Sequence, residues 1–179
     1  MTNLGKNSSE WNKQNRRSTR NFIRKWGKLV EHDKYLNPIV SHKRDIGIVI
    51  ENPSLNIIGE LEPYCNSILL KYKAEAFEEA YLEVEQPNTL LKLKSKFKTE
   101  KLSNDIVINF KGETIEDLKE IVYFLNNIDY IIKDHDSLER PTFNIEIKNK
   151  DNYFEKENIY LNNEEKYDKK YSNAKIKIY

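Results

Sequence analysis

Apolar residues in this 179-residue chain concentrate between Ile46 and Ile147, and their spacing changes from segment to segment. Ile46-Gly-Ile-Val-Ile50 is continuous rather than alternating, which predicts a central strand covered on both faces. Pro53 and Ser54 then open a helix in which Leu55, Ile58, Leu61 and Cys65 recur at intervals of three and four, and Ser67 to Tyr72 supplies the next strand. Strand, helix and strand in that order amount to one βαβ unit. A second helix is expected over Ala74 to Val84, stopped by Pro87, whose missing amide cannot continue it.

Leu91, Leu93, Ser95 and Phe97 alternate with Lys92, Lys94, Lys96 and Lys98. A period of two predicts a strand with four lysines on one wet or partner-bound face. Asp105 to Phe110 reads as a further strand, and Thr114 is placed to cap a helix bearing Ile115, Leu118, Ile121, Val122 and Leu125. Asp129 to Lys133 and Thr142 to Lys148 complete the expected strands, with Pro141 between them.

Outside this core the pattern is thinner. Phe22, Trp26 and Leu29/Val30 keep helical spacing within a basic stretch, predicting an amphipathic helix from about Ser18 that ends near Gly27. Asp33 to Asp45 reads as a connector. Beyond Asn149 the chain becomes a polar Asn/Lys/Glu/Asp/Tyr sequence with little core of its own, although Ile176 and Ile178 alternate with polar neighbours and suit an edge strand added to a neighbouring subunit. The expected organisation is a basic helical arm and connector over residues 1–45, an α/β core with a mixed sheet over 46–149, and a polar arm over 150–179.

Charge sharpens this division. Residues 1–28 hold eight lysines and arginines against the single acid Glu10, a local +7 in a chain whose total is +1, so the remainder carries −6. Arg16, Arg17, Arg20, Arg24 and Lys25 are therefore the candidate binding residues, with an anionic partner: an acidic subunit surface or DNA. A solvated face that keeps the chain soluble is the plainer alternative. A lone Cys65 leaves no intramolecular disulfide and points to a reducing, cytoplasmic setting. No apolar run approaches a membrane span and Met1 to Lys6 shows no apolar stretch of a secretory signal, so a soluble protein made in a cytoplasm is expected.

Signatures of chemistry are missing from the sequence. The five glycines are too dispersed for a G-x-G-x-x-G or P-loop phosphate cradle. His32, His42 and His135 lie far apart and share no metal-ligand spacing with Cys65. No G-x-S-x-G elbow occurs. Asp134-His135-Asp136 after an apolar run has the form of the D-x-D that holds a divalent ion in nucleotide-sugar glycosyltransferases, but three residues are a short match and an exposed acidic turn is the favoured reading. The expectation is a protein that is not an enzyme and needs no cofactor, metal or small-molecule substrate.

Asn21-Phe-Ile-Arg-Lys-Trp-Gly-Lys-Leu-Val-Glu-His-Asp33, Asn37-Pro-Ile-Val40, Asp45-Ile-Gly-Ile-Val-Ile-Glu-Asn52, Leu61-Glu-Pro-Tyr-Cys65 and Glu85-Gln-Pro-Asn-Thr-Leu90 together resemble small virion proteins of AT-rich tailed phages, including the crAss-like group. Heavy use of Asn, Lys and Ile agrees with such a source. The resemblance implies a structural protein of the head–tail connector or tail region, located in the virion, with subunits of the same assembly as partners. It carries no functional residues with it.

Overall fold

The computed structural model describes residues 8–39, 43–85, 87–128, 137–140 and 142–147. It has a mixed α/β fold, and these residues all belong to one compact unit. Among them, five strands form a sheet in the order β4 (Ser67–Leu70), β3 (Ile46–Ile50), β5 (Ile106–Phe110), β7 (Phe143–Ile147), β6 (Ser137–Glu139). The first three run parallel, and β7 and β6 close that end as an antiparallel pair.

Register explains why this sheet holds. Ile68, Ile48, Ile108 and Ile145 lie in one row across four strands, and Leu70, Ile50, Phe110 and Phe143 in another. Laterally paired residues point to the same face. That face is covered by helices: α2 (Leu55–Leu61) and α5 (Ile115–Asn126) touch each other, and Phe124 of α5 packs on Phe143 with ring centroids 5.3 Å apart. On the reverse face Val49 and Val107 are buried under Leu102, delivered by the segment that crosses beneath the sheet toward β5. Gly47 is required there, because a Cβ would collide with the buried Asn104 and stand 3.0 Å from Leu102. Every residue of β3 is buried, as its continuous apolar run predicts.

Caps set the helix boundaries. Ser54 Oγ accepts the Ile57 amide, and Thr114 with Asp117 forms a reciprocal capping box at the start of α5. Both starts agree with the sequence, and the helix expected over Ala74 to Val84 is α3 (Ala74–Glu83). Cys65 belongs not to α2 but to the end of a 3-10 turn, Glu62–Tyr64, that follows it.

Two expectations are corrected. Leu90–Lys94 is a short helix, α4, rather than the opening of a lysine-faced strand; Leu and Lys are strong helix formers, and Leu93 is buried while Leu91 is 87% exposed. Only Phe97 bridges to Ile68, and Lys96 turns inward rather than sharing a solvent face with its neighbours. The connector is partly structured: β1 (Glu31–His32) pairs with β2 (Pro38–Ile39) around Asp33, whose carboxylate accepts the amides of Tyr35 and Asn37. The expected strand Asp129 to Lys133 lies outside the described residues.

Candidate interaction site

The N-terminal helix, α1, spans Ser9–Trp26 and so begins well before Ser18. Ser8 caps it by accepting the Trp11 amide at 3.2 Å, and Glu10 sits favourably in its first turn. Gly27 ends it with a φ of 88°, in the left-handed region that glycine adopts without a Cβ clash, and returns its amide to Ile23. At 3.6 residues per turn this helix has two chemically distinct long faces.

One face is bolted to the body by charge. Arg24 donates to the Glu62 carboxylate from Nη2 at 2.6 Å and from Nε at 3.0 Å, to Glu85 from Nη1 at 3.0 Å, and to the Tyr81 hydroxyl from Nη2 at 3.0 Å. Arg20 pairs with the same Glu85. Lys96 Nζ reaches the other Glu62 oxygen at 2.6 Å, and the Tyr81 hydroxyl donates to Glu62 at 2.9 Å. Lys43 Nζ donates to the Arg24 carbonyl at 2.8 Å, and Arg17 Nε to the Val84 carbonyl at 3.0 Å. Three separate stretches of chain, carrying Arg20 with Arg24, Tyr81 and Lys96, thus converge on two carboxylates, of which Glu62 is wholly buried and Glu85 is 5% exposed.

The electrostatics follow from that burial. Desolvation alone would raise the Glu62 carboxyl, but Lys96 and Arg24 outweigh it and hold it below the usual range. Burial and then Glu62 push the Tyr81 phenol up, and burial pushes the neighbouring Cys65 thiol up to about 12. Burial followed by Lys96 draws Lys43 down. The arrangement works as a clamp. Removing one partner from such a buried pair is costly, because it leaves the other charge uncompensated.

The opposite face is aromatic. Trp11, Phe22 and Trp26 stand 36–37% exposed, and Leu29 and Val30 continue the strip past Gly27 at 45% and 43%. Phe22 and Trp26 lean on each other at 6.4 Å, with Lys25 Nζ 4.6 Å from the Trp26 ring centroid. The helix is therefore seated through the buried Ile23 together with Arg20 and Arg24, while its partly exposed rings line the other side.

Of the five candidate cations, Arg20 and Arg24 are engaged in the clamp, Arg17 holds a backbone carbonyl, and Arg16 and Lys25 are exposed. Ile176 and Ile178, like Asp134 and Asp136, lie outside the described residues. Sequence reasoning missed Glu62, Glu85 and Lys96. The readable trace of Glu62 is its position inside the otherwise apolar Leu61 to Cys65 stretch. Among the described residues no three His, Cys, Asp or Glu side chains gather as metal ligands, and no helix is long and apolar enough to cross a membrane. A groove of about 390 Å³ on the reverse sheet face is lined by Val49, Leu69, Lys71, Glu100, Lys101 and Glu146, among others.

No family model matches this chain, and neither a curated protein nor a solved structure is detectably similar to it.

Proposed function

We propose that this chain is a non-enzymatic assembly subunit: a small α/β body that holds α1 in a fixed orientation so that its aromatic face meets a protein neighbour. The observation that carries the reading is the mounting of α1, with Ile23 buried and Arg20 and Arg24 tied to Glu85 and Glu62 while Trp11, Phe22 and Trp26 stay partly exposed on the other side. Exposed aromatic clusters on a rigid element are the usual anchors of protein interfaces. The resemblance to tailed-phage virion proteins makes a head–tail connector or tail structure the particle in which to look for it.

A second reading, nucleic-acid binding, rests on Arg16 and Lys25, which remain exposed beside the aromatic rings. Light scattering of the intact chain on a sizing column, at low and high salt, separates the two. The assembly reading expects a mass above the 21.3 kDa monomer that persists at high salt, because apolar contacts are not screened. A monomer at every concentration that binds DNA only at low salt would replace it with the nucleic-acid reading.

A further inference from the structure

We infer that the outward face of α1 pairs with α1 of a second copy of this chain, antiparallel, about a two-fold axis at Ser18 and Thr19; this rests on the assembly reading and names its partner. The argument is the symmetry of the stripe. Trp11 and Trp26 lie seven and a half residues on either side of the Ser18–Thr19 midpoint, and Asn15 and Phe22 three and a half. Two such helices laid antiparallel place each Trp11 against Trp26 of the partner subunit and each Asn15 against Phe22 of the partner subunit. The smallest side chains of the strip fall at the crossing, where two backbones must come closest.

Charge agrees with this occupant. Arg20 and Arg24 point away from the strip and are neutralised by Glu85 and Glu62, so two copies do not meet through like-charged faces. The line Trp11, Asn15, Ser18, Phe22, Trp26 contains no cation, whereas a phosphate backbone requires cations along its track. Lys25, on the flank, falls near Glu10 and Gln14 of the partner subunit. From Trp11 to Trp26 the strip is about 22 Å long, and a helix pair of that length buries on the order of 1,000 Å² in total, at the lower edge of specific interfaces. Association is accordingly weak and concentration-dependent.

Ser18→Cys in the full-length chain tests the axis directly, since residues on a two-fold lie beside their own copies. Cys65 is fully buried and does not compete for oxidation. Under mild oxidation Ser18→Cys is expected to give a disulfide-linked dimer as its main product. Asn12→Cys, equally exposed on the same helix, is expected to stay monomeric, because its copy lies about 20 Å away along the axis. Equal crosslinking of the two variants overturns the inference. If the chain nevertheless has an oligomeric mass by light scattering, another surface assembles it and the assembly reading stands; a monomeric mass at all concentrations removes both.

Discussion

At the scale of single residues the molecule turns on Glu62. Its carboxylate is the common partner of Arg24, Lys96 and Tyr81, and it has no access to solvent. Glu62→Gln keeps the shape but takes from Lys96 the carboxylate it pairs with and leaves Arg24 with Glu85 alone, and a loss of about 3–5 kcal/mol in denaturant stability is expected. The pH dependence has a definite sign. The folded value of Glu62 lies below its ordinary 4.5, so its contribution is complete above that pH and disappears as pH falls through the lowered value. Acid titration followed by circular dichroism should show wild type losing stability steeply below about pH 4.5, with a shallower acid limb in Glu62→Gln. Parallel acid limbs would show that other carboxylates carry the effect.

At the scale of elements, helices that are locally specified differ from the one that is held by distant partners. The start of α5 is written into Thr114-Ile-Glu-Asp117, where the threonine accepts the Asp117 amide while the Asp117 carboxylate takes those of Glu113 and Thr114. Thr114→Ala is expected to cost about 1 kcal/mol, read as a lowered denaturation midpoint with an unchanged slope. By contrast α1 carries good caps, but nothing in its own sequence says which face is seated. That choice is made by Glu62 and Glu85, 38 and 61 residues from Arg24. The misreading of Leu90–Lys94 has a related cause: alternation over so few residues fits a strand and a short amphipathic turn alike, and burial of Leu93 decides for the helix.

For the whole molecule, sequence periodicity was sufficient where burial is continuous and connections are short. The unit β3–α2–β4 and the segment β5–α5 are legible because their apolar runs and spacings match the elements and each helix start carries a serine or threonine cap. Much less of the candidate site was legible. The charge imbalance drew attention to α1, yet its arginines were read as facing a partner, when Arg20 and Arg24 bind the chain's own carboxylates. Long-range ion pairs leave no periodic trace, so only the folded arrangement reveals that the acidic surface complementary to α1 lies in the same chain.

That arrangement also supplies its own probe. The chain has two tryptophans, Trp11 and Trp26, and both lie on the outward strip. Intrinsic tryptophan emission, recorded across a concentration series with the mass measured in parallel, therefore reports on this surface and no other. The account expects emission to shift to shorter wavelength as the mass rises above that of one chain, since association takes both rings out of water. A mass that rises while emission stays fixed would contradict it, placing assembly on a different face of the molecule.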